Sequence, residues 1–172
     1  QDVGPLAIAF ETTTQGIPGH HVDVDITLPD GRRIVGTVPG LHADRLVRVG
    51  YSRLRGRQRL GTYLDQAVVA AMHRPGTLAR TIGRGAVPGT PAMATHNPIP
   101  DPLAALTTLV EVRDRLVSQV IPLLPDASWI QVSMRGYDRD DALRKFWLRE
   151  GKSAEMQLAF GREIDVHDVG AL

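Results

Sequence analysis

Cysteine is absent from this 172-residue chain. Its absence excludes disulfides, thiolate zinc sites, iron–sulfur clusters and a cysteine nucleophile together, and it makes a reducing cytoplasm the expected compartment. Lysine is nearly absent too: Lys145 and Lys152 are the only two among 20 cationic side chains, the rest being arginine. That bias is compositional and identifies no activity by itself. Long apolar runs are missing, since a stretch such as Ala67 to Met72 falls far short of the roughly 20 residues a bilayer requires. No cationic start followed by an apolar core marks a signal peptide.

Two catalytic signatures are also missing. Glycine-bearing stretches at 83–90 (GRGAVPGT) and 161–164 (GREI) lack the lysine of a phosphate loop. Serines at 52, 118, 128, 133 and 153 stand outside any glycine-flanked nucleophile elbow. An ATPase or a serine hydrolase is therefore not expected.

What remains is enough for one globular domain spanning 1–172, because a chain of this size buries about 70% of its unfolded surface. It starts at Gln1 in sequence that reads as strand-like, so a piece of a longer protein is expected. In His21–Leu28, Val22, Val24, Ile26 and Leu28 alternate with polar residues, the period of a strand with one buried face. Pro29–Gly31 is turn chemistry, residues 32–38 return as a second strand, and Arg45–Val49 reads as a third. The strands, over about 22–50, form an antiparallel meander.

Helical spacing takes over at about 53–74, with Leu60, Leu64, Ala67, Val68 and Ala71 on the face expected to be buried. A short strand is expected at 79–83, and the glycine- and proline-rich stretch 83–100 is expected to be a surface loop. Asp101 and Pro102 open a helix over about 102–121, with Leu103, Leu106, Val110, Leu116 and Val120 along one side. Asp126–Met134 is ambiguous between helix and strand. Another helix is expected over 138–150, packing through Phe146 and Trp147. The fold class is α/β (α+β).

Two clusters invite chemistry. His20, Asp23 and Asp25 lie along one strand, the two carboxylates on one face, where they could ligate a divalent ion. They equally suit a polar edge strand that resists aggregation, and no further ligands appear at a legible spacing. From Arg45 to Arg84 there are nine arginines and one acid, Asp65, giving 9 − 1 = +8 within a chain whose net charge is +1. Arginine's planar fork donates two parallel hydrogen bonds to a phosphate, so this run suits a polynucleotide backbone. It suits a solvated face or an acidic partner surface as well.

The blocks "GTVPGLHADRLVRVGYSRLRGRQRLGTYLDQAVVAAM", "LTTLVEVRDRLVSQVIPLLPDASW" and "ALRKFWLREG...EMQLAFG" resemble the C-terminal domain of RecC, the gamma subunit of exodeoxyribonuclease V (RecBCD), over about Val22 to Gly161. The resemblance implies a fold like the PD-(D/E)XK nucleases without catalysis. An active member of that class holds magnesium on carboxylates from two neighbouring strands and sets a lysine beside the phosphate. Pro39, Leu41, Arg48, Gly50 and Tyr51 stand at those places here, and Asp44 is the one acid between Thr37 and Leu64.

The resemblance therefore implies no enzymatic activity, catalytic residue, metal or cofactor. Arg48, Arg53, Arg55, Arg57 and Arg59 are the expected DNA-binding residues. The expected partners are single-stranded or forked DNA and RecB-like and RecD-like subunits, in double-strand break repair by homologous recombination. Two alternatives stay open: an active metal-dependent nuclease using Asp23 and Asp25, and a pure protein-interaction module.

Overall fold

The first helix, α1 (Val3–Thr14), lies where strand-like sequence was expected. Leu6 is buried against Val47 and Ile82 of the sheet, with Ala9 and Phe10 beside it, and this packing stabilises a helix the local pattern did not announce. α1 ends where Gln15 and Gly16 turn to positive φ. Arg45 donates to the Thr13 carbonyl at 3.0 Å, placing a cation at the negative end of the helix. The computed structural model describes residues 3–72, 74–119 and 124–150.

Three strands follow: β1 (His20–Thr27), β2 (Arg33–His42) and β3 (Arg45–Arg53). β1 and β2 form an antiparallel ladder, with Asp25 opposite Val35 and Asp23 opposite Thr37. Their connection is a hydrogen-bonded turn. Gly31, at φ 87°, donates its N–H to the Leu28 carbonyl at 2.9 Å, and Asp30 accepts from the Arg32 N–H at 3.0 Å. The meander forms as its alternation predicts, and its inner face carries Val24, Ile26, Leu28 and Val38.

The second ladder is short. β2 and β3 pair at Leu41 with Leu46 and at His42 with Arg45, and the pairing among the described residues ends there. Gly40 sits beside this junction at φ 80°, where a Cβ would stand 2.8 Å from the Val47 carbonyl oxygen. Only glycine fits both the torsion and the approach. Beyond the junction, Val49–Arg53 is exposed throughout.

Helix α2 (Gly56–Ala71) crosses to β4 (Leu78–Arg84), which runs parallel to β3, and β5 (Pro91–His96) returns antiparallel to β4. The sheet order is β1-β2-β3-β4-β5. Two expectations are corrected here. The helix begins at Gly56, not at about 53, because β3 extends to Arg53 to pair with Arg84. The stretch 83–100 is not all loop: residues 91–96 are a strand satisfied by β4, with only a tight connection between them. Cross-strand pairing outweighs the poor strand propensity of Pro91 at its edge.

Adjacent residues of β3 point to opposite faces, so Val47 meets α1 while Leu46 joins the second core with Ala67, Val69 and Ala79. The buried face of α2 is rotated from the expected one. Thr62 and Gln66 are buried and Leu64 is 38% exposed, because polar partners on β4 and β5 engage the hydroxyl and the amide.

Helix α3 (Pro102–Gln119) opens with Asp101, whose carboxylate accepts the Ala104 N–H at 2.9 Å, an N-cap as expected. Leu106 is buried in the α2-side core with Val110 packed against it, whereas Leu103 is exposed. The side chain of Val120 lies outside the described residues. Packing divides the chain into two compact units, 1–111 and 112–172.

The second unit contains α4 (Pro125–Ser133), which resolves the ambiguous stretch as helix, and α5 (Gly136–Glu150). Phe146 and Trp147 are buried as expected, packing against Leu124, Ala127 and Ile130. Their rings meet edge to face with centroids 5.4 Å apart. Among the described residues no helix is long and apolar enough to cross a membrane.

Candidate nucleic-acid interface

The five arginines singled out above do not share one environment. Arg48 leaves β3 on the α2 side and directs both Nε and Nη2 to Oδ2 of Asp65, at 2.8 and 2.5 Å. The pair is roughly three-quarters buried, with side-chain exposures of 30% and 27%. It ties β3 to α2. Arg59, in the first turns of α2, is half-buried, and desolvation lowers its guanidinium pKa below the ordinary value.

That guanidinium neighbours a buried polar chain. His96 on β5 holds Nε2 3.0 Å from the Thr81 hydroxyl, and Thr81 donates to Thr62 at 2.7 Å. Thr62 donates onward to the Gln58 carbonyl at 3.1 Å. Each hydroxyl donates only one hydrogen, so Thr81 accepts from His96 and the imidazole carries its proton on Nε2. Burial, and then the positive charge of Arg59, push the His96 pKa below its ordinary value.

Arg53 and Arg55 face a different setting. Arg53 is the exposed last residue of β3 and donates through Nη2 to the Ala86 carbonyl at 2.8 Å. Arg55 stands at the N-cap of α2, its backbone N–H held by the Gln58 side chain at 3.1 Å. Arg57 follows, exposed, in a first helical turn without an acid. Cations are unfavourable at the positive end of a helix dipole, so this end is electrostatically suited to an approaching anion.

A sixth arginine joins them. The parallel register sets Arg84 of β4 beside Arg53. Gly83 allows the approach, since a Cβ there would lie 2.9 Å from the Ser52 carbonyl oxygen. Arg53, Arg84, Gly85 and Ala86 line two adjoining cavities of about 260 and 240 Å³, one closed by Leu6 and Val87, the other by Leu54 and Arg55. The structure thus brings Arg53 and Arg55 together with Arg84, and leaves Arg48 and Arg59 turned inward. Arg84 was visible as a member of the basic run, but its place depends on a strand register that no local pattern encodes.

The other cluster was expected on β1. Asp23 and Asp25 do share a face, and it is solvent-exposed. Each has a local partner: Asp25 accepts from Arg33 at 3.1 and 2.6 Å, which lowers its pKa, and Asp23 accepts from Thr37 at 3.1 Å. Among the described residues no three His, Cys, Asp or Glu side chains gather as a metal cage would require.

The fold and site define a class: a mixed α/β domain whose third and fourth strands end in an arginine-lined cleft at the start of a helix. Residues 1–134 match the family described as RecC C-terminal domain, and the chain belongs to that family. The RecBCD enzyme subunit RecC of Mycobacterium tuberculosis is 35% identical over 133 residues, and its counterpart in Mycolicibacterium smegmatis is 34% identical over 130. Both alignments take in 75% of this chain, and the chain spans 12% of either relative's length. The match includes α1, which lies before the stretch where the resemblance is legible in the sequence.

Proposed function

We propose that this chain is a non-catalytic domain of a RecC-like subunit, one that guides DNA and helps assemble a RecBCD-type helicase–nuclease. Its place is the cytoplasm, its partners are RecB-like and RecD-like subunits, and its process is double-strand break repair by recombination. The observation that carries the DNA-guiding role is the convergence of Arg53, Arg55 and Arg84 on one exposed cleft, with Arg57 adjoining. Two forked guanidiniums at the spacing of neighbouring strands match a phosphate backbone better than they match isolated carboxylates.

The scaffold we take to be nuclease-like, in keeping with an antiparallel meander, a helix and a further strand. The acids nearest β3 in sequence and in space favour a lost active site. Asp44 is exposed in the β2–β3 turn, and Asp65 is committed to Arg48. The Arg48 guanidinium against Asp65 supplies internally the positive charge that a divalent ion supplies in a nuclease, and its fixed charge repels such an ion.

The test is made on the intact native protein. Replacing Arg53 and Arg57 by alanine is expected to weaken binding to single-stranded DNA and to reduce the salt slope of log K by about one for each phosphate no longer neutralised. Unchanged affinity and slope, with loss of complex assembly, would give the site to a protein partner instead. Magnesium- or manganese-dependent degradation that vanishes in Asp23→Ala would restore a nuclease.

A further inference from the structure

Tyr51 stands beside this cleft, in contact with Arg84 of its lining, and phosphate binding gives it no role. It lies on the exposed half of β3 and is itself 56% exposed, unusual for a ring on a sheet with a packed helix nearby. Arg84 covers one face of the ring, its guanidinium carbon 4.8 Å from the centroid. That cation–π contact fixes the ring plane and makes the opposite face a preformed flat surface. Arg84 also lines both cavities, so the platform and the phosphate-binding arginines are continuous through one side chain. Among the described residues β2 pairs with β3 only at Arg45 and Leu46, so Tyr51 lies on a stretch of β3 that β2 does not pair.

A planar apolar face bordered by guanidiniums is chemically matched to an unpaired nucleotide: the base stacks, and its phosphates pair with arginine. Duplex DNA offers phosphates but keeps its bases stacked on each other. We infer that Tyr51, oriented by Arg84, stacks an unpaired base while Arg53 and Arg55 hold the flanking phosphates. This rests on the DNA-guiding function proposed above and assigns it a base-stacking residue. Base identity is unread, because a ring face stacks on any base.

The experiment uses the intact native protein with a short oligothymidylate, and a strand of equal length made of abasic sugars as the second probe. Tyr51→Ala is expected to weaken oligothymidylate binding about tenfold, the lower part of the range for removing one stack, while abasic binding and salt slope stay as in the wild type. Tyr51→Phe keeps the affinity. Arg53→Ala with Arg55→Ala weakens both probes alike and lowers the salt slope. Unfolding midpoints establish that the exposed substitutions leave the fold intact.

If Tyr51→Ala binds oligothymidylate as wild type does while the arginine variant fails, stacking is refuted and the DNA-guiding role survives. If neither variant loses affinity, both fall. If Tyr51→Ala loses a protein subunit rather than DNA, the platform belongs to a protein interface and the inference is overturned.

Discussion

Arg48 and Arg53 belong to one strand and one basic run, yet one is bound to Asp65 and the other lies exposed at a cleft. At the scale of the residue, environment decides what identical side chains do. His96 makes the same case for titration. Its folded pKa lies below the ordinary 6.5, so the unfolded chain binds the extra proton first as pH falls. The stability this neutral imidazole contributes is complete above pH 6.5 and declines as pH drops from there towards the folded value. His96→Gln is expected to flatten that part of the unfolding free energy–pH curve, read by denaturant titration at several pH values. An NMR titration of the His96 ring is expected to give a midpoint below 6.5.

At the scale of the element, α2 shows what hydrophobic periodicity can and cannot deliver. Its existence was legible from Ala67, Val68 and Ala71, but its rotation was not, since the deepest positions include Thr62 and Gln66. Gln66 is fully buried and its amide nitrogen donates to the carbonyls of Thr77 and Asn97 at 2.8 and 2.9 Å. It ties α2 to the entry of β4 and the exit of β5. Gln66→Leu keeps the volume but orphans two carbonyls, with an expected loss of about 2–4 kcal/mol in unfolding free energy by chemical denaturation. β5 itself was hidden among glycines and prolines because its stability comes from β4, a partner across the sheet. α1 was missed for the same reason, its buried face being matched by Val47 and Ile82 rather than by its own period.

At the scale of the whole molecule, a net charge of +1 conceals a strong segregation. Residues 1–44 carry six acids and two arginines, 2 − 6 = −4, against +8 over 45–84. Net charge alone would predict weak, salt-insensitive association with polyanions; the local field predicts otherwise. Arg33 and Arg53 each contribute one unit charge, but Arg33 is already paired with Asp25. Replacing Arg33 by Gln is expected to leave the salt dependence of DNA binding unchanged, whereas Arg53→Gln lowers the slope by about one. Equal slopes would show that total charge, not its placement, governs binding.

Residue types and their spacing were sufficient for the meander and for the helices expected over about 102–121 and 138–150, which the structure sets at 102–119 and 136–150, because alternation, caps and turn residues act between near neighbours. They also placed the arginines in one run. Which arginines meet was decided by tertiary structure alone: the parallel pairing of β3 with β4 joins Arg53 to Arg84, and the early parting of β2 bares Tyr51. Such meetings depend on register between segments far apart in sequence, and register is fixed by how whole faces bury, not by any short stretch of chain.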